Sequence, residues 1–236
     1  MNLVGPPPVY VSCKGRARWA SSIIIVGIVL SSLSLVSSEM QAQLLGRAAH
    51  GVLPTDSEAG LNDLREAVIG ILDAAAIIAG LVLFLVWIHR AHKNLPALGA
   101  KGLAYSPGWT VGYFFIPILC FFRPYQAATE IWKASDPLTV GLQPSRWQAA
   151  SGSAMLGFWW VMWLIDCIVG RVVFHTAFRA HPTVHDLIAQ TRLAQVSTVT
   201  SVLSAALTLA LIRALTGRQE RKHAALGAMG APAPTI

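Results

Sequence analysis

A chain of 236 residues with 54% apolar and only 12% charged side chains, at a mean hydropathy of +0.56, is too apolar for an ordinary water-soluble domain and points to lipid as its main solvent. Its net charge of +7 does not indicate nucleic acid, because Lys and Arg sit beside apolar runs rather than in a patch or a basic helix. Cys13, Cys120 and Cys167 are odd in number and scattered, which gives no support to a disulfide framework or a CxxC site.

In chain order, residues 1–18 carry Gly5-Pro6-Pro7-Pro8, cannot bury a core, and are expected to be a disordered cytoplasmic segment. Lys14, Arg16 and Arg18 then precede the first apolar run, Trp19–Ser38. That run exceeds a signal-peptide core in length, and Met40 spoils the small-residue pattern of a cleavage site, so it reads as an uncleaved anchor. Three more runs follow at Ala67–Ile88, Ser153–Gly170 and Leu193–Ile212. A hydrocarbon core of ~30 Å takes about 20 helical residues. The four runs hold 20, 22, 18 and 20, with Asp73 and Asp166 their only charges, so spans are expected at about 19–38, 67–88, 153–174 and 193–213.

Glu39–Glu66 is acidic and reads as an external loop with a short helix near Asn62–Ala67. Leu95–Gly108, rich in Gly and Pro, reads as irregular. Trp109–Phe122 is apolar but has only 14 residues and contains Pro117, so it reads as a Pro-broken re-entrant or interfacial half-helix. Residues 125–135 read as an amphipathic interfacial helix opening at Pro124. Its face of Ala128, Ile131 and Trp132 would lie toward lipid, with Glu130 and Lys133 paired on the wet side. With four spans, thirteen of the eighteen Lys and Arg residues fall inside; a fifth full span would erase that bias. The expected architecture is all-α: a polytopic transmembrane helix bundle in the cell membrane, both termini cytoplasmic, occupying 19–216, with a disordered tail at 217–236.

The middle of the chain carries a dense string: Trp87-Ile88-His89-Arg90, Asn94, Leu98-Gly99-Ala100, Tyr105-Ser106-Pro107-Gly108-Trp109, Phe115-Ile116-Pro117, Arg123-Pro124-Tyr125-Gln126 and Glu130-Ile131-Trp132-Lys133-Ala134-Ser135. Over roughly Leu61 to Arg213 this resembles the bacterial membrane proteins of domain of unknown function family 4328. The resemblance implies a small multi-span protein without an assigned activity, so it carries over no catalytic residue. It marks Arg90, Asn94, Pro107, Gly108, Trp109, Pro117, Arg123, Pro124, Tyr125, Glu130 and Trp132 as structural or binding hallmarks.

Candidate chemistry lies first at charges within the membrane. With four spans Asp73 and Asp166 share a depth, and Arg171 and His175 offer counter-charges, giving a polar cluster. The plainer reading makes both aspartates interhelical glue, as it makes packing faces of two hydroxyl stripes, Gly27-Ser31-Ser34-Ser38 and Ser197-Ser201-Ser204-Thr208. Arg123 and Glu130, seven residues apart, either fix the broken segment as a plug or bind an anionic headgroup. His89 and His92, with Glu130 or His175, and the pair His181 and His185 invite a metal or haem, but the missing ligands leave the first pair facing lipid headgroups and the second in a solvated loop; no metal or cofactor is expected. No hydrolase, P-loop, zincin or dinucleotide motif occurs. The leading expectation is a non-catalytic partner, assembly or regulatory component, in contact with the lipid bilayer and a protein partner or a second copy, and not with nucleic acid. The alternatives are a small-solute or ion carrier or channel using Asp73 and Asp166, and a His-based metal or haem protein.

Overall fold

The computed structural model describes residues 8–141, 143, 145–177 and 183–230. Among these the chain is all helix without strands, and it is a polytopic transmembrane helix bundle. Four helices are long and apolar enough to cross a membrane: α1 (Lys14–Ala49), α2 (Asp56–Lys93), α5 (Ala154–Ala177) and α6 (Val184–Gly230). Between α2 and α5 lie the short α3 (Pro107–Gly112) and α4 (Arg123–Ala134), with 3-10 turns at Pro96–Leu98, Leu119–Phe121, Pro137–Thr139 and Arg146–Ala149.

The chain divides into two compact units, one of Ser21–Leu81 and Trp159–Leu209, the other of Met1–Ala20, Val82–Phe158 and Ala210–Ile236. In the first, which we call the span unit, α1 and α2 pack antiparallel through small and polar side chains. A Cβ added at Gly27 would meet that of Ala76 at 3.8 Å, and one at Gly80 would meet Ile24 at 3.7 Å, so small residues let the backbones approach. α5 and α6 pair likewise, Trp159 Nε1 donating to Thr208 Oγ1 at 3.0 Å and Gln190 Nε2 to the Thr176 carbonyl at 3.0 Å.

The second, central unit is organised differently. Its core is apolar at Trp87, Ile88, Leu95, Leu98, Ile131, Leu211, Ile212 and Leu215. Between these lie buried Asn94, His92, Glu130, Ser135, Asp136, Thr216, Gln219 and Lys222. Irregular backbone leaves peptide groups without helical partners, and Asn94, Glu130, Asp136, Gln219 and Lys222 bond backbone groups of other residues.

Several sequence expectations are corrected. The loop after the first span is only residues 50–55, because α1 runs on to Ala49 and α2 starts at Asp56, its first turn closed by Thr55 and Glu58 bonding each other's amides. The tail expected to be disordered from 217 is helical as far as Gly230; residues 231–236 lie outside the described residues. Of the expected disordered N-terminal segment, residues 1–7 lie outside the described residues, whereas α1 begins at Lys14 and Val11 and Cys13 are pinned to Asn94. Within segment 109–122 the helix is shorter than expected: α3 ends at Gly112 and turns follow, Pro117 preventing a longer ladder. On α4, Ala128 and Ile131 are fully buried in protein rather than turned to lipid.

Candidate functional site

The central unit gathers most of the motif residues. Asn94, at the end of α2, is fully buried; its Nδ2 donates to the Val11 carbonyl at 2.9 Å, to Cys13 Sγ at 3.3 Å and to Gln219 Oε1 at 3.4 Å, while Val11 N donates to its Oδ1 at 3.3 Å. Gln219 of α6 returns the link, Nε2 donating to the Ala91 carbonyl at 2.8 Å and Ser135 Oγ at 3.1 Å. Three segments far apart in sequence thus meet on two side-chain amides. Burial pushes the Cys13 thiol up to about 11, partly offset by Arg90 and Arg16. Beside it Tyr10 stacks on His223 at 4.1 Å and donates to Glu220 at 3.1 Å, and Lys14 pairs with the same carboxylate at 3.3 Å.

Glu130 organises the other end of the network. It is buried on α4, bonds His92 Nε2 at 3.0 Å, and accepts the Ala104 amide at 2.6 Å and the Tyr105 amide at 3.3 Å. The expected pair with Lys133 does not form; Lys133 instead donates to the Gln148 carbonyl at 3.3 Å. Asp136, just past α4, holds Arg218 at 2.7 Å, and that guanidinium lies 4.7 Å over the Trp132 ring. Lys222, 3% exposed, donates to the Ala134 carbonyl and to Thr139 Oγ1, both at 2.8 Å. It also lines a cavity of about 60 Å³ with Leu98, Gly99 and Trp147, room for a few waters.

The remaining motif positions shape backbone. Ser106 caps α3, accepting from Trp109 N at 3.4 Å, and Pro107 occupies its first turn, where the missing amide costs nothing. Exposed Gly108 lies within that helix, and Pro117 accepts the Leu119 amide at 2.8 Å in the turn beyond it. Pro124, in the first turn of α4, is buried; Tyr125 follows, its carbonyl accepting from Thr129 Oγ1 at 2.9 Å. Arg123 Nη1 donates to Tyr105 OH at 3.3 Å and Gln126 Oε1 at 3.2 Å. Arg90 is half-buried, and its Nε, like His92 Nδ1, is buried without a hydrogen-bond partner among the described residues.

The intramembrane cluster is not assembled. Asp73 accepts from Ser31 Oγ at 2.8 Å. Asp166 accepts from Ser201 Oγ at 2.6 Å and Thr200 Oγ1 at 3.2 Å. Arg171 and His175 are exposed, and among the described residues neither makes an ion pair with these carboxylates; His175 meets the Phe174 ring edge at 6.1 Å. His181 lies outside the described residues, and no group of three or more potential metal ligands occurs among those described. Gln219, Arg218 and Lys222 escape a sequence reading because the polar run Arg218–His223 resembles a solvated tail. Their spacing at 218, 219 and 222, one helical face continuing an apolar span, is the signal that finds them.

The profile of a domain of unknown function, DUF4328, matches residues 50–217. The chain belongs to the DUF4328 family. No curated protein and no solved structure matches it. The DUF4328 region therefore spans all of α2 through most of α6, and the partners that close its network, Val11, Cys13, Arg218, Gln219 and Lys222, come from either side of it.

Proposed function

We propose that this DUF4328 protein is a non-catalytic component of the cell membrane, an assembly or regulatory partner with both termini cytoplasmic, acting beside another protein or a second copy of itself. One observation carries this reading: five of the ionisable and amide side chains of the central unit are bonded back onto the chain. Glu130, Asp136, Arg218, Gln219 and Lys222 all have internal partners. Groups committed in this way hold shape and are poor candidates for turning over a substrate. The excess of basic residues on one side of a four-span topology supports the orientation.

Two experiments test it. With the native cysteines removed, cysteines placed at the exposed positions Leu138, His185 and Ala224 should be labelled from outside intact cells only at 185. A photoreactive residue replacing Leu138, which is 86% exposed, should give one discrete adduct, to a single protein species or to a second copy. Absence of any protein adduct, together with ion or solute flux through proteoliposomes of the purified protein, would replace this reading with a carrier.

A further inference from the structure

Segment 107–122 contains no charged residue, yet Trp109, Phe115 and Ile118 stand 54%, 65% and 71% exposed. Ile118 has φ 69° and ψ −51° at the centre of a γ-turn that the Leu119 amide closes on the Pro117 carbonyl at 2.8 Å, a strained conformation for a β-branched residue. A strained, apolar turn held outward is surface made for an apolar solvent.

At the foot of this turn stands Arg123. Its guanidinium carbon lies 6.0 Å from the Tyr113 ring centre and 5.9 Å from that of Phe122, and its only hydrogen bonds among the described residues run from Nη1 to two neutral acceptors, Tyr105 OH and Gln126 Oε1. The carboxylate one would pair with it, Glu130, is held by His92 and two backbone amides. A guanidinium fork has five N–H donors and suits an oxyanion, so Nε and Nη2 remain for a ligand.

We propose that Arg123, positioned by Tyr105 and Gln126, binds the phosphate of an anionic phospholipid whose acyl chains lie against Trp109, Phe115 and Ile118. The adjoining apolar surface favours a lipid over a soluble phosphate, since only a lipid satisfies the cation and the exposed turn together.

The test uses the full-length protein in detergent and a phosphatidylglycerol labelled on its acyl chain, read by fluorescence anisotropy. Unlabelled phosphatidylglycerol should displace the probe and phosphatidylcholine should do so poorly. Arg123→Gln should weaken binding roughly fivefold, the effect of one basic residue at an anionic lipid surface, while Arg221→Gln, a loss of equal charge at an exposed site, should leave it unchanged. Phe115→Ser, at an exposed position, should weaken it about two- to threefold by removing acyl contact, and carries the test if Arg123→Gln fails to fold. Equal losses in Arg221→Gln and Arg123→Gln, no loss in Phe115→Ser, or displacement by millimolar inorganic phosphate as effective as by phosphatidylglycerol would each overturn the assignment.

Discussion

The span unit and the central unit use polar side chains in opposite ways. At membrane depth in the span unit they are few, and each bonds one or two hydroxyls of the helix packed against it: Asp73 to Ser31, Asp166 to Ser201 and Thr200, Trp159 to Thr208. Regular helices satisfy their own backbone, so such bonds add only modestly to packing. In the central unit the backbone is broken by glycine and proline, and side chains such as Glu130, Gln219 and Lys222 bond backbone groups of other segments. Polar groups are therefore dispensable in one region and structural in the other, and substitutions should separate the two.

The largest effect is expected at Glu130. Glu130→Ala leaves His92 and the Ala104 and Tyr105 amides without their acceptor in a buried site, a loss of about 3–5 kcal/mol for one partner of a buried pair. The variant should fail to give a monodisperse peak in size-exclusion chromatography in detergent. Glu130→Gln keeps one acceptor oxygen and should be recovered at lower yield with a depressed thermal midpoint. A wild-type midpoint in Glu130→Ala would erase the distinction between the units.

Next comes Asn94, whose amide pins the segment before α1. Asn94→Ala removes bonds to Val11, Cys13 and Gln219 and should cost about 2 kcal/mol, the range for leaving buried partners unmet. Its second readout is chemical. Cys13 is 1% exposed and its thiol is raised to about 11, so at pH 8 about one in a thousand is thiolate. In the wild type, maleimide should modify half-buried Cys120 well before Cys13. In Asn94→Ala the Cys13 rate should rise by up to roughly thirtyfold, the change in opening that ~2 kcal/mol represents at ~1.4 kcal/mol per tenfold.

A smaller loss is expected at Arg218. Arg218→Gln removes the ion pair between a half-buried guanidinium and the buried Asp136 carboxylate, and the contact over Trp132, but keeps a neutral donor for Asp136, so the loss should be about 1–2 kcal/mol. The thermal midpoint should fall by a few degrees with the detergent-solubilised peak intact.

The same contrast explains what the sequence makes legible. Spans follow from runs such as Ala67–Ile88 because bilayer thickness fixes a length that hydropathy alone can measure. Serine stripes on α1 and α6 mark packing faces because helical period is regular, and Ser31, Ser201 and Thr208 lie on them. The central string is recognisable as a family motif, but its pairings are not legible. Glu130 bonds His92, 38 residues away, rather than the expected Lys133 three residues on, because tertiary burial outweighs a surface i,i+3 pair. The helical tail to Gly230 is missed for the same reason: Arg218, Gln219 and Lys222 look solvated until the carbonyls they meet are known.

The smallest effects should come from Asp73→Asn and Asp166→Asn, and they are the sharpest test of the contrast. An asparagine keeps an oxygen that accepts from Ser31, or from Ser201 and Thr200, so each substitution should change stability by less than about 1 kcal/mol, in line with hydrogen bonds between membrane helices. Protein abundance and thermal midpoint should stay near wild type, and so should whatever phenotype deletion of the protein produces. Carboxylates that only join helices have no proton or ion to pass, so amides serve as well. If Asp73→Asn instead abolishes a measurable flux in proteoliposomes while stability holds, the charge itself is functional. The span unit would then carry the activity, and the bonded central unit would be its support.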